Sequence, residues 1–233
     1  MSSTSEKTFG SRIENARKFI SHLQSFQNYQ PETGDYSIAD YAAAIQIAET
    51  INPFIASTKL AYRQAVAERK ALYYEAPNSI KKLTSPIGSY VRAKFGKDSS
   101  NYLELNGLIL KIRGTKLKTQ TTADSNAHSM AQQSYGSLLF HFENAIAGLQ
   151  TMGIEYNPGN QQIQLSALVE LKNLAIEKNN TVATTFATLN PKQNERNQIY
   201  DTLSMKTQRI KDFVKSQYGV GSSEYKLIKG LKI

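Results

Sequence analysis

Cysteine is absent from the 233 residues. Its absence excludes disulfides, thiolate-ligated zinc and cysteine nucleophiles together, and fits a reducing compartment. Tryptophan is absent too, and histidine is confined to His22, His128 and His141. None of these stands four positions from another, or three after a glutamate, as a helical metal site requires, so the sequence predicts no metal centre and no cofactor. No run of about eighteen apolar residues occurs, and the opening Met1-Ser2-Ser3-Thr4-Ser5-Glu6-Lys7 is polar where a secretory leader is apolar. The expectation is a cytoplasmic protein without a membrane segment.

What is present suits a globular chain, with 40% hydrophobic residues and a net charge of +9 from 28 basic and 19 acidic side chains. The excess is uneven. Residues 1–118 hold 17 Lys/Arg against 10 Asp/Glu, whereas residues 119–233 hold 11 against 9. Much of it lies in Lys81, Lys82, Arg92, Lys94, Lys97 and the stretch Lys111-Ile112-Arg113-Gly114-Thr115-Lys116-Leu117-Lys118. Lys111, Arg113, Lys116 and Lys118 are therefore the candidate contacts to an anion or nucleic acid, whose binding would weaken steeply with salt. No recognition helix, aromatic RNA motif or zinc finger accompanies them, so a solvated edge is the simpler reading.

The chain resembles itself. At a shift of 129, Ile13-Glu14-Asn15-Ala16 pairs with Phe142-Glu143-Asn144-Ala145, and at 127 Tyr29-Gln30-Pro31 pairs with Tyr156-Asn157-Pro158. The same 127 pairs Ala48, Asn52 and Ala56 with Ala175, Asn179 and Ala183, then Glu68-Arg69 with Glu195-Arg196 and Tyr73 with Tyr200. At 123 the ends match best: Phe95-Gly96-Lys97-Asp98-Ser99-Ser100-Asn101-Tyr102 against Tyr218-Gly219-Val220-Gly221-Ser222-Ser223-Glu224-Tyr225. These matches predict an internal duplication, with a first unit over 1–118, a polar linker over 119–129 and a second unit over 130–233.

Apolar spacing predicts helices throughout. Phe9, Ile13, Ala16, Ile20, Leu23 and Phe26 recur three and four apart, a stripe along a first helix of about five turns. Ser37, three before Asp40, can cap a second helix through Tyr41, Ile45 and Ala48, which Pro53 should kink. A third helix is expected from near Ala65, and in the second unit just after Asn190-Pro191. It should end at Gly96 and Gly219 in a left-handed cap, with Ser99-Ser100 or Ser222-Ser223 capping a following turn and Tyr102 or Tyr225 folding back on the core. The fold class expected is all-α: internally duplicated three-helix units, up-down-up, forming a pseudo-two-fold helical bundle.

The retained polar residues, Glu14-Asn15 with Glu143-Asn144 and Glu68-Arg69 with Glu195-Arg196, are the remaining candidates for chemistry. Carboxylates beside an arginine can act as an acid/base pair. Because the set occurs twice, scaffolding is the better reading, with Glu14 pairing Arg69 and Glu143 pairing Arg196 to fix helix register. His141, opposite Arg12 at the shift of 129, reads as a polar position at a helix edge, and no catalytic residue is assigned.

The pattern aromatic-Gly-x-x-Ser-Ser-x-Tyr, at Phe95–Tyr102 and again at Tyr218–Tyr225, resembles one found in uncharacterised bacterial helical proteins. The resemblance covers the motif and the helix before it, and implies a helical fold with no assigned activity. A basic tail such as Lys111–Lys118 tends to follow the motif in those proteins, whereas here the second occurrence is followed by Lys229-Gly230-Leu231-Lys232-Ile233. The functional expectation is a non-enzymatic bundle that binds an unidentified protein partner or serves as scaffold. The alternative is weak, sequence-independent nucleic-acid binding through the basic first unit.

Overall fold

A computed structural model describes residues 8–31, 33–114 and 133–233. Among them the chain is helical, with no strand. In order come α1 (Phe9–Ser25), α2 (Ile38–Lys70), a π-helical turn (Ala71–Glu75), α3 (Ile80–Phe95), α4 (Ser100–Arg113), α5 (Tyr135–Thr151), α6 (Leu165–Tyr218) and α7 (Ser223–Ile228). No helix of the described residues is long and apolar enough to cross a membrane.

The longest helix, α6, corrects the expectation of separate second and third helices over 130–233, and over 1–118 the break falls at 76–79, between the π turn and α3, rather than near Ala65. Pro53 and Pro191 both lie inside helices, and α6 runs 54 residues without a break. A helix survives a proline when its buried stripe continues on the far side. In α6 the buried residues Leu168, Ala175, Val182 and Leu189 follow one another at seven-residue spacing, and Tyr200, Leu203, Ile210 and Val214 carry the stripe on past Pro191. In α2 the pattern passes Ile51 and Ile55 to Ala65, and the helix leads into the π turn that buries Tyr73.

The chain divides into two compact units, and these are not consecutive halves. One comprises Met1–Ala61 with Phe186–Ile233, the other Tyr62–Thr185. The boundaries at 118 and 130 describe sequence likeness, whereas packing joins the front of one half to the back of the other. In the first unit α1 packs on α7, and Ile13, Ala16, Phe19, Leu23, Tyr41 and Ile45 share a core with Tyr200, Leu203, Ile210, Val214 and Ile228. In the second, α4 packs against both α3 and α5, and Tyr73, Ile80, Leu83, Ile87 and Ile109 share a core with Leu138, Phe142, Leu149 and Leu168.

The helix ends follow local chemistry. Thr8 Oγ1 accepts the Ser11 N–H and Ser134 Oγ accepts the Ser137 N–H, so Thr8-Phe9-Gly10-Ser11 and Ser134-Tyr135-Gly136-Ser137 open α1 and α5 in the same way. These caps place the two helix starts 126 residues apart rather than 129. The difference of three is close to one turn, and an apolar stripe slid by a turn still looks like itself. Ser37 Oγ accepts the Asp40 N–H, as expected.

Both closing motifs have one geometry. Ser99 Oγ accepts the Tyr102 N–H at 3.2 Å and donates to the Gly96 carbonyl at 2.9 Å, and Ser222 does the same with Tyr225 at 3.1 Å and Gly219 at 2.9 Å. Gly96 adopts φ 93°, ψ 156° and Gly219 φ 92°, so Gly96 does not take the left-handed helical cap expected of it. That cap occurs instead at Gly114, φ 75°, ψ 23°. Positive φ with extended ψ is essentially a glycine conformation, because any Cβ strains it.

Gly96→Ala is therefore expected to cost about 1–3 kcal/mol in urea unfolding even though its Cβ would meet nothing within 4 Å, and Gly96→Asn should not recover it, since asparagine tolerates the left-handed helical region and not this one. Gly107→Ala, inside α4 and equally unobstructed, should stabilise by about 0.5–1 kcal/mol.

Candidate functional site: two tyrosine-asparagine-arginine clusters

Polar side chains gather at one place in each unit, around a buried tyrosine. In the first unit Tyr200 is 0% exposed. Its hydroxyl accepts from Asn52 Nδ2 at 2.7 Å and donates to the Phe9 carbonyl at 3.2 Å. Phe9 meets the Tyr200 ring edge-on, with centroids 4.7 Å apart. The Arg196 guanidinium lies 3.9 Å from the Phe9 centroid, and Arg12 lies 4.7 Å from that of Tyr200 while Nη2 donates to the Tyr200 carbonyl at 3.0 Å.

The second unit repeats the arrangement with other residues. Tyr73 is 1% exposed and its hydroxyl accepts from Asn179 Nδ2 at 2.9 Å. Tyr135 meets its ring edge-on at 4.9 Å, and the Arg69 guanidinium stacks 3.9 Å from the Tyr135 centroid. Even the unsatisfied atoms correspond. Among the described residues, Asn52 Oδ1 and Arg196 Nε are buried without a hydrogen-bond partner in the first unit, as Asn179 Oδ1 and Arg69 Nε are in the second.

The electrostatics are those of a core. Burial raises the pKa of Tyr73 and Tyr200, against hydrogen bonds from Asn179 and Asn52 and the positive field of Arg69, Arg12 and Arg196, which act the other way. Burial likewise raises Tyr41, whose hydroxyl bonds Thr207, and Tyr156, whose hydroxyl donates to the Ile163 carbonyl. Tyr29 is pushed up to about 12, by burial and then by Tyr218.

The polar residues singled out from the sequence are dispersed. Glu14 lies 3.9 Å from both Arg17 and Lys18, and Arg69 is stacked on Tyr135, so the expected Glu14–Arg69 pair is not the contact either side chain makes. Arg196 is on Phe9 rather than on Glu143, which faces Tyr73 closely enough to raise its pKa. Glu68 binds Lys178 at 2.9 Å, a contact that, with the Gln64 hydrogen bond, holds its carboxyl below the usual range, and Glu195 binds Lys192 at 2.6 Å. Asn15 donates to the Lys232 carbonyl, and Asn144 is exposed. With its carboxyl held below the usual range, Glu68 has no proton to donate at neutral pH.

His141 is 3% exposed, not at a helix edge, because α4 packs over this face of α5. Burial, then nearby Lys111, lowers its pKa, so the ring is neutral at neutral pH. Arg113 Nε donates to Thr84 at 3.0 Å, while Lys111 is exposed. Lys116 and Lys118 lie outside the described residues. In the closing motifs Ser100 and Ser223 open α4 and α7, and Ser223 Oγ donates to Glu224. Asn52, Asn179, Arg12 and Tyr135 were not candidates from the sequence. The signal that points to the asparagines is the joint recurrence of Asn52 and Tyr73 as Asn179 and Tyr200.

No protein-family model, curated protein or solved structure matches the chain.

Tyr200→Phe leaves the buried Asn52 amide without its acceptor, so it should cost about 1–3 kcal/mol, and in a cycle with Asn52→Ala the two changes should be less than additive by about 0.5 kcal/mol or more. In alkali, tyrosines whose folded pKa exceeds the unfolded value of about 10 keep protons that the unfolded chain releases. Stability should therefore be intact below about pH 10 and fall as pH rises toward the folded values. Tyrosinate absorbance and loss of helical circular dichroism should rise together there; tyrosinate formation complete with helix retained would contradict it.

Proposed function

We propose that this chain is a non-enzymatic, internally duplicated helical scaffold that acts through binding a protein partner. The observation supporting this is where its recurring polar chemistry goes: Arg69, Arg196, Asn52 and Asn179 are all turned to internal contacts with Tyr135, Phe9, Tyr200 and Tyr73. Such a use requires no substrate. The surface feature most suited to a partner is a shallow groove of about 200 Å³ between α2 and α6 in the first unit. Ala44, Ile47 and Ile199 give it an apolar floor, and Glu195, Gln198 and Thr202 polar sides. Ile47 is 55% exposed there, a fit for the apolar face of an amphipathic helix.

A second reading rests on α3, which carries Lys81, Lys82, Arg92 and Lys94 and no acidic residue. It is a sequence-independent grip on nucleic acid.

Capture from the source cell with wild-type and Ile47→Glu bait separates the readings. A partner held by the wild type and lost at least about tenfold, or 1.4 kcal/mol, from a variant of unchanged helicity supports the scaffold. Equal capture by both baits removes the groove from it. A gel shift on mixed DNA and RNA at low salt that collapses with added salt, and fails for Arg92→Glu with Lys94→Glu, would transfer the conclusion to the second reading.

A further inference from the structure

We propose that each half of the chain is a self-complementary pairing module, so that the whole is a tethered pair whose association surface fits a second copy of the same half. This goes beyond the scaffold reading and does not depend on it.

Three kinds of contact, each present in both units, carry the inference, and every one joins the front of one half to the back of the other. Asn52 meets Tyr200 in the first unit, and Asn179 meets Tyr73 in the second. Arg196 lies on Phe9, and Arg69 on Tyr135, both at 3.9 Å. Tyr29 meets Phe213 edge-on at 5.7 Å and 81°, and Tyr156 meets Tyr90 at 5.3 Å and 90°. In every case the first half owns one member of each kind. It has Asn52 and Tyr73, Phe9 and Arg69, Tyr29 and Tyr90. The second half owns Asn179 and Tyr200, Tyr135 and Arg196, Tyr156 and Phe213.

A surface on which residue i meets j while j meets i is the definition of an isologous contact, the kind that closes between identical copies. Two first halves would restore all three contacts twice: Asn52 of each on Tyr73 of the other, Arg69 on Phe9, and Tyr29 on Tyr90. The backbone agrees with the side chains, since α1 is covered by α7 of the second half and α5 by α4 of the first. These are the matching short helices after the two glycine-serine motifs. Exchange of identical elements between copies is a low-cost route to association, and here the exchange is already made within one chain.

The test uses the whole chain with a specific protease site inserted between Ala123 and Asp124. The uncut and cut proteins should elute alike in native buffer, near the intact 26.0 kDa, because each compact unit contains elements of both fragments. Separation into two smaller species on cutting would overturn the proposal. Cut protein with an affinity tag on the first fragment is then mixed with untagged cut protein, taken through denaturant and returned to native buffer. The tag should recover untagged first fragment as well as second fragment. Recovery of second fragment alone, or of no soluble complex of two first fragments, would overturn self-complementarity, even with the cut protein still intact in native buffer. Within the recovered complex of first fragments, Arg69→Glu placed in both copies should reduce the yield at least tenfold while leaving a mixed complex with wild-type second fragment detectable through Asn52–Tyr200 and Tyr29–Phe213.

Discussion

A tyrosine hydroxyl taken out of water must find a partner, and the rest of this structure is arranged so that Tyr73 and Tyr200 find theirs. The donor is in each case an asparagine far away in the chain, Asn179 for Tyr73 and Asn52 for Tyr200. Hydrogen bonds of this kind add little net stability but cost 1–3 kcal/mol when one side is lost, so they select one pairing of helices over others with equal apolar area. Once Tyr200 is fixed against Asn52, Phe9 closes its edge and Arg196 covers Phe9. The same order holds around Tyr73, Tyr135 and Arg69.

The pairing explains the long helices. Asn52 lies within α2 in one unit and Asn179 within α6 in the other, and the tyrosine downstream of each, Tyr73 in the π turn and Tyr200 in α6, belongs to the opposite unit. The loss of one backbone hydrogen bond at each proline is small beside the buried stripe that continues through it. In α2 the continuation ends in the π turn, which keeps Tyr73 on the buried side before the chain turns into α3.

Local chemistry was legible in the sequence and remote pairing was not. The opening of α1 near Phe9, the Ser37 cap and the helix ends at Gly96 and Gly219 depend on residues within one or two turns, and they stand where the spacing put them. The hydroxyl caps of α1 and α5 lie 126 residues apart where the apolar spacing matches at 129, because helical periodicity repeats with nearly that step and the caps do not. Propensity treats proline locally and so places a helix start at Pro191, whereas the buried spacing from Leu168 to Val214 is a property of the whole helix. The crossed arrangement of the halves had no local signal at all. Asn52 and Tyr73 recur in the second half, but recurrence alone leaves open whether each asparagine meets the tyrosine of its own half or of the other.

The arginines show why like sequence does not imply an ion pair. Glu68-Arg69 and Glu195-Arg196 invite a carboxylate-guanidinium contact, yet both arginines lie on aromatic faces and both glutamates bind lysines. Placing a carboxylate beside a partly buried guanidinium would require stripping water from two charges, a cost that mutual attraction seldom recovers. A guanidinium is weakly hydrated and planar, so it can lie flat on Tyr135 or Phe9 and lose little by it. Its Nε stays buried without a partner in both clusters, while the glutamate one residue earlier pairs with a lysine, Lys178 or Lys192. The dipeptide therefore sends its two charges to different neighbours, the arginine to an aromatic face and the glutamate to a lysine, and that division, not an ion pair, is what its two occurrences share.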